Sequence, residues 1–493
     1  MGKLDLCMSM KRKATEDRDR RGLALRTCGL LAALVAVTAA GAAQAQSAAA
    51  PAPAEDSSLT WHGITLYGIV DVGLQYDTHG APISDYFFAG SGDVVQKNSN
   101  NSVVGVTPNN LSQSRVGLQG KEPLPGMGDW SAVFKLETFF NPQSGELSDA
   151  LKSLNQNNGK PLASQTVNID SSVAGQAFQQ SFAGLSSPTY GTITFGRQNT
   201  LVADGISKYD PNGASQAFSV IGLSGTAGGG GDTEDRRLDD SLKYTAKFAM
   251  VDFGLMYKFA NGSAEDYRNG GGSGEAYDAV QAQLGANYAG FSIDAYYSYV
   301  KDAVAASAIS VADFPLLPAT GYSESNSIAG TIADTKTWSV MALYDFGGPK
   351  VFGGWEHIEY DNPSIPLPAG FNTEGGYVLA FVNNTAYAKS SKTLQVYWAG
   401  VKYPVLPQLN LTGAFYGYKQ NAYATGADAG CSTTVSGACS GNLIAFSFSA
   451  DYRFTKRFDA YAGAMYSDVT NGLANGYLQR QNINPTIGVR YSF

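Results

Sequence analysis

The sequence predicts an all-β protein, a 16-stranded antiparallel transmembrane β-barrel, and three observations carry that reading. The first is the end of the chain. Over Ile483-Asn484-Pro485-Thr486-Ile487-Gly488-Val489-Arg490-Tyr491-Ser492-Phe493, apolar side chains take every odd position and polar or small ones every even position. A period of two describes a strand with one greasy and one wet face. A final strand of this kind hides its open edge by pairing with the first. The second observation is that such segments recur, separated by connections that alternate between very short and very long, as in barrels with tight turns at one mouth and long loops at the other. The third is that residues 46–493 contain no apolar run approaching the ~20 residues a spanning helix needs.

Residues 1–45 read as an export signal to be removed from the barrel domain, 46–493. Lys11, Arg12, Lys13, Arg18, Arg20, Arg21 and Arg26 form a basic start, Gly29 to Ala40 an apolar centre, and Ala43-Gln44-Ala45 a small-residue cleavage site. Eight of the 34 Lys+Arg and four of the 42 Asp+Glu leave with it, so the remainder carries 26 against 38, a net −12. That balance argues against nucleic acid as a partner.

Sixteen strands are expected at 62–77, 111–121, 129–141, 176–186, 191–198, 238–249, 251–259, 276–288, 290–300, 333–346, 350–360, 391–403, 408–420, 442–453, 457–467 and 482–493. The segment Val251-Asp252-Phe253-Gly254-Leu255-Met256-Tyr257-Lys258-Phe259 alternates fully, whereas 333–346 and 350–360 alternate poorly. Tight turns fall at 123–128, 186–191, 250–251, 289–290, 347–350, 404–408 and 455–456. Long connections rich in Gly, Ser, Asn and Asp fall at 78–110, 142–175, 199–237, 260–275, 301–332, 361–390, 421–441 and 468–481. Sixteen strands leave an aqueous lumen, whereas eight would be filled by their own side chains.

Strand parity points Asp71, Arg115, Lys121, Lys135, Glu137, Lys243, Lys247, Asp451, Arg453 and Arg490 inward. An unpaired Arg or Lys facing lipid near the midplane costs ~2–4 kcal/mol, so the lumen is their inexpensive side. Most such charges do no more than solvate the wall. Those at a narrowing act on passing ions at close range. Trp61, Trp130, Trp338, Trp355 and Trp398 are candidates for the aromatic girdle.

Cysteine usage and motifs bound the chemistry. Cys7 and Cys28 leave with the signal, while Cys431 and Cys439 lie eight apart in a Gly/Ser/Thr-rich loop, where an oxidising compartment favours a disulfide. No histidine stands near them to complete a metal shell, and neither metal nor cofactor is expected. The glycines at 228–231 lack the strand–loop–helix context and the Lys-Ser/Thr of a phosphate cradle. Only His62, His79 and His357 are present, and none stands in a Ser–His–acid pattern, so no enzyme is expected.

The chain resembles the general trimeric porins of Gram-negative outer membranes, especially the β-proteobacterial branch. Five motifs carry the resemblance in order: Thr65-Leu66-Tyr67-Gly68-Ile69-Val70-Asp71-Val72-Gly73, Ser114-Arg115-Val116-Gly117-Leu118-Gln119-Gly120-Lys121-Glu122, Phe195-Gly196-Arg197-Gln198, Asp240-Ser241-Leu242-Lys243-Tyr244, and Gly488-Val489-Arg490-Tyr491-Ser492-Phe493. The resemblance implies a homotrimer in outer-membrane lipid, each barrel narrowed by a third loop folded inward. It implies passive diffusion of small hydrophilic solutes and ions, with wall cations facing acids on that loop. Carried onto this sequence, the constriction residues are Arg115, Lys135 and Arg197 on the wall and Asp204 and Asp210 on the loop, with Lys208 beside them.

Two departures bear on that assignment. Pro211-Asn212-Gly213-Ala214 replaces the acidic stretch of enteric members, removing one loop acid. Arg197 shares the outward parity of Ile193 and Phe195, so a lumenal Arg197 requires the strand to end or bulge before it. The net −12 favours cations, whereas the wall arginines and the missing loop acid favour anions. Charges at a throat outweigh distant loop charges, which are screened beyond ~8–10 Å, so the sequence leaves the sign close to even, with a slight lean to anions. A substrate-selective channel with a binding site at the constriction is the alternative, for which Tyr296 and Tyr416 lie on the inward parity.

Overall fold

A computed structural model describes residues 59–79, 102–143, 145–147, 178–221, 237–260, 277–302, 305–306, 330–331, 333–366, 373–374, 377–378, 390–429, 431, 438–474 and 479–493. The expected signal segment and the glycines at 228–231 lie outside the described residues.

Sixteen long antiparallel strands close into one barrel. They are β1 (Ile64–Asp77), β2 (Arg115–Pro123), β3 (Ser131–Asn141), β4 (Gln180–Ser187), β5 (Gly191–Asn199), β6 (Arg237–Phe248), β7 (Val251–Lys258) and β8 (Asp278–Tyr288) in the first half. The second half has β9 (Phe291–Lys301), β10 (Asp334–Asp345), β11 (Lys350–Asp361), β12 (Lys392–Leu406), β13 (Leu409–Gln420), β14 (Gly441–Arg453), β15 (Phe458–Asn471) and β16 (Thr486–Ser492). Each pairs with its neighbour in sequence, and β16 closes on β1 from Ile69↔Ser492 to Gln75↔Thr486. The closing ladder continues through Phe493 and Gly68, which exchange both backbone hydrogen bonds at 3.0 Å. Among the described residues the sixteen-strand ladder thereby closes on itself.

Burial alternates with the opposite polarity to a soluble sheet. On β14, Ile444, Phe446 and Phe448 are exposed while Ser447 and Ser449 are buried; on β9, Phe291 is exposed while Ser292, Asp294 and Ser298 are buried. Apolar side chains outside and polar ones inside are what lipid on one face and a lumen on the other require.

The second strand differs from expectation. It begins at Arg115, and Val103–Pro108, inside the expected long loop, is itself a strand that pairs with the upper half of β1. Between them the chain leaves the ladder because the Asp71 carboxylate draws in the backbone N–H groups of Leu111 (3.1 Å) and Ser112 (2.7 Å). Asn109, at φ +61°, makes the turn that allows this.

The third long connection carries a helix, α1 (Leu201–Tyr209), capped by Thr200, whose hydroxyl accepts the Ala203 N–H at 3.0 Å. Leu201, Val202, Ile206 and Tyr209 of α1 are buried in one apolar cluster with Met341 of β10, Ile358 of β11, and Val396 and Trp398 of β12. Burying a side chain of this size contributes ~1.5–3 kcal/mol. The helix approaches the wall closely at Gly205, where a Cβ would lie 2.6 Å from the Tyr296 ring of β9. The poor alternation of β10 and β11 follows: their inward faces carry Met341, Leu343, Phe352 and Ile358 because α1 and its neighbours cover part of them.

Trp398 corrects the girdle assignment. It is 3% exposed and donates its indole N–H to the Tyr209 carbonyl at 3.0 Å. It shares inward parity with Val396 and Lys402, and an indole N–H needs a partner once buried. Trp61, Trp338 and Trp355 are exposed, and Trp130 stacks on Tyr190 at 6.0 Å.

Candidate pore constriction

The segment Thr200–Ile221 is fastened to the wall by a chain of buried polar contacts. Tyr209 hydrogen-bonds Ser292 (2.7 Å) and Asp294 of β9, and Lys208 pairs with Asp294 at 2.9 Å. The Asp210 carboxylate accepts from Tyr416 Oη (2.7 Å), Ala214 N (2.7 Å) and Asn212 N (3.2 Å). Asn212 donates to the Phe218 carbonyl and to Ser447 of β14, both at 2.9 Å. Farther along, Ser215 donates to the Asn110 carbonyl (2.7 Å), and Asn484 donates to the Ala217 carbonyl (3.1 Å). The segment therefore spans from the walls of β9 and β13–β14 to the indented chain beside Asp71.

Asp210 is thus placed differently from Asp204. Asp210 is 2% exposed, and burial raises its carboxyl above the usual range despite the donors around it. Its partners make it a fastening of the loop rather than a charge offered to the lumen. Asp204 is half exposed and bonds Lys243 of β6 at 2.5 Å. Asn199 donates to the other Asp204 oxygen at 3.0 Å, and its carbonyl accepts from Lys243 at 2.9 Å.

Arg115 and Lys135 meet through a shared acid. Glu137 of β3 lies 3.4 Å from Lys135 Nζ and 3.8 Å from Arg115 Nε. It also accepts from Tyr67 Oη (2.9 Å) and Gln180 Nε2 (2.8 Å), while Lys135 sits over the Tyr67 ring. With these donors Glu137 is held firmly, and the group keeps one uncompensated positive charge.

At Arg197 the strand bulges. β5 runs on to Asn199, but its register against β6 shifts between Gly196 and Gln198, with Gly196 at φ +124°. Arg197 is 7% exposed and pairs with Asp239 of β6. It lines neither of the two cavities below. Arg237 lies over the Phe139 ring, 4.6 Å from its centre.

Two recesses flank α1. One, of about 510 Å³, brings together Lys121, Lys135, Asp204 and Lys243. The other, of about 410 Å³, is bordered by Lys208, Lys350, Lys402 and Arg453 together with Asp210, Leu343 and Phe352. Sequence reasoning brought Lys135 and Asp204 together, but it left out Lys350 and Lys402. Lys402 was legible from its charge alone, because a lysine within a spanning strand belongs on the lumen side, and the reading of Trp398 as a girdle residue hid it. Arg490 is engaged with Asp459 (3.0 Å) and Asp451 (3.2 Å). Cys431 and Cys439 are joined by a disulfide, with Cα atoms 5.2 Å apart.

A closed barrel with an apolar exterior, a polar interior and charged recesses within defines a membrane channel of the porin class. The chain belongs to the Gram-negative porin family, whose model matches residues 31–472. It is 28% identical over 245 residues to an outer membrane porin protein of Bordetella pertussis; that match covers 48% of this chain and 53% of the relative, so the chain spans about half the length of the curated relative it matches. Among solved structures it is similar to an anion-selective porin from Comamonas acidovorans (TM-score 0.54, 17% identity, covering 87% of this chain and 99% of that one). It is also similar to a loop-deletion mutant of OmpT, an outer membrane protein of Vibrio cholerae (TM-score 0.52, 14% identity, covering 87% and 99%). These likenesses establish the fold, and with the family they place the protein in the outer membrane.

Proposed function

We propose that the protein is a passive diffusion channel for small hydrophilic solutes and ions, with a preference for anions. The observation that carries the preference is the make-up of the two recesses. Their linings hold seven cationic side chains, Lys208, Lys350, Lys402, Arg453, Lys121, Lys135 and Lys243, against the acids Asp204 and Asp210. Of those acids Asp210 is buried, and Asp204, together with Asp294, Asp345 and Glu137, pairs with Lys243, Lys208, Lys350 and Lys135. That leaves Lys121, Lys402 and Arg453 without an ion pair among the described residues. Charges lining a narrow water-filled passage raise the local concentration of the opposite ion, so the −12 balance of the whole mature chain is a poor guide here.

The channel needs no cofactor or energy source; a size cutoff and the field of the wall suffice. The resemblance to trimeric porins supports assembly of three copies, each with its own pore. The test is a planar-bilayer recording under a KCl gradient. Chloride-selective current arriving in steps of three equal conductances supports the reading; cation selectivity refutes the anion preference, and no current refutes the open channel.

A further inference from the structure

The recess of about 410 Å³ differs from its counterpart in the kind of wall it offers. It is bordered by residues at the tight-turn mouth: Gly348, Lys350, Pro404, Asn410 and Arg453. Its apolar lining is Leu343 of β10, Phe352 of β11, which is 8% exposed, and Pro211 of the loop segment. Its cationic lining lies beside them, with Lys350 two residues from Phe352 on β11 and paired in register with Lys402 of β12. Lys208 and Lys350 are neutralised by Asp294 (2.9 Å) and Asp345 (3.0 Å). Lys402 and Arg453 make no ion pair within 4 Å among the described residues and remain accessible to solvent; the nearby Asp451 acts on both at longer range but is itself bonded to Arg490 at 3.2 Å.

A passing chloride or phosphate has no use for an apolar wall, because it keeps its hydration shell. A solute with a carboxylate at one end and an apolar body at the other satisfies both linings at once: the head meets Lys402 and Arg453, and the body covers Phe352 and Leu343. Asn410 adds a neutral hydrogen-bonding group beside the charges.

We propose that this recess, just inside the tight-turn mouth, is a binding subsite for small organic carboxylates with an aliphatic or aromatic body. The subsite rests on the channel reading above, and it turns the pore from a sieve into one that retains a chemical class of solute.

The test compares benzoate with acetate as blockers of chloride current through the full chain in a planar bilayer. Block is expressed as the concentration that halves the current of the same variant, so differences in conductance divide out. Benzoate should block at roughly a tenth of the acetate concentration. In the double variant Lys402→Gln/Arg453→Gln, whose side chains are unpaired and partly exposed, benzoate block should weaken about tenfold. In Phe352→Ser the advantage of benzoate over acetate should shrink toward unity. Lys336→Gln, at the long-loop end of β10 where the side chain pairs with Asp361, should leave that advantage intact.

Equal block by the two anions, or benzoate block unchanged in the double variant, would overturn the proposal. Absence of any chloride current from the wild type refutes the channel reading instead. In that case, calorimetric titration of benzoate into the detergent-solubilised protein reads the subsite directly: heat lost in the double variant upholds it, and no heat with wild type overturns it.

Discussion

Replacing Asp204 by Asn should make the channel more anion-selective, by an amount that follows from where the carboxylate sits. The side chain is half exposed, bonded to Lys243 at 2.5 Å and to Asn199 at 3.0 Å. Asn is nearly isosteric and keeps the Asn199 contact, so the change is one of charge rather than packing. At this exposure water sets the dielectric. A unit charge ~6 Å from an ion on the pore path contributes about 0.7 kcal/mol at ε ≈ 80, reduced to about 0.4 by screening at 0.1 M salt. Chloride is favoured and potassium disfavoured by that amount, about 0.8 kcal/mol together, so the chloride-to-potassium permeability ratio should rise three- to fourfold. The assay is the reversal potential of single channels in a KCl gradient. Repeating it near 1 M salt, where the screening length is ~3 Å, should shrink the effect to about 1.4-fold. An unchanged ratio at low salt, or a shift toward cations, would show that Asp204 and Lys243 do not border the ion path.

Other perturbations separate fastening from selectivity. Asp210→Ala leaves Tyr416 Oη and the Asn212 and Ala214 amides without their acceptor; it should lower the stability of the folded barrel by about 2–4 kcal/mol, read as a lower thermal midpoint in detergent, while shifting selectivity less than the Asp204 change. Gly205→Val sets side-chain atoms against the Tyr296 ring, so α1 must move away from β9, and single-channel conductance and its noise should both change. Asp302, just beyond β9, is raised to about 6 chiefly by burial, while its carboxylate accepts the Ile365 N–H at 3.1 Å. A carboxyl raised in the folded state binds its proton more tightly than in the unfolded chain, so stability should increase as pH falls from about 7 toward 4, and Asp302→Asn should flatten that part of the profile measured by thermal unfolding.

Much of the barrel was legible because lipid imposes a simple rule on each strand, and β7, β14 and β16 obey it. The departures share one cause: the rule assumes that the inward face meets water. Where α1 and its neighbours meet the wall, the inward face becomes a packing surface, so β10 and β11 lose their contrast and Trp398, read as an interfacial aromatic, turns inward to cap the Tyr209 carbonyl. The break between Val103–Pro108 and β2 has a related origin, since Asp71 collects two backbone amides that a regular ladder would have used. No periodicity can announce such a carboxylate. The bulge at Gly196 was implied only by the conflict between Arg197's parity and its charge.

The same reasoning explains why the loop acids had to be separated by structure. Asp204 and Asp210 lie six residues apart on one short segment and look equivalent in sequence. Asp204 sits in the first turn of α1, where the helix dipole favours an acid and where Lys243 reaches it from the wall. Asp210 follows the last turn, and there the chain must bend toward Asn212 and Ala214, whose free amides need an acceptor. A carboxylate at the end of a helix that packs against a tyrosine-bearing wall is recruited to satisfy those amides, and its charge is lost to the pore. The proposed anion preference then rests on Lys121, Lys402 and Arg453, the lining cations without an ion pair among the described residues, although the chain as a whole is acidic.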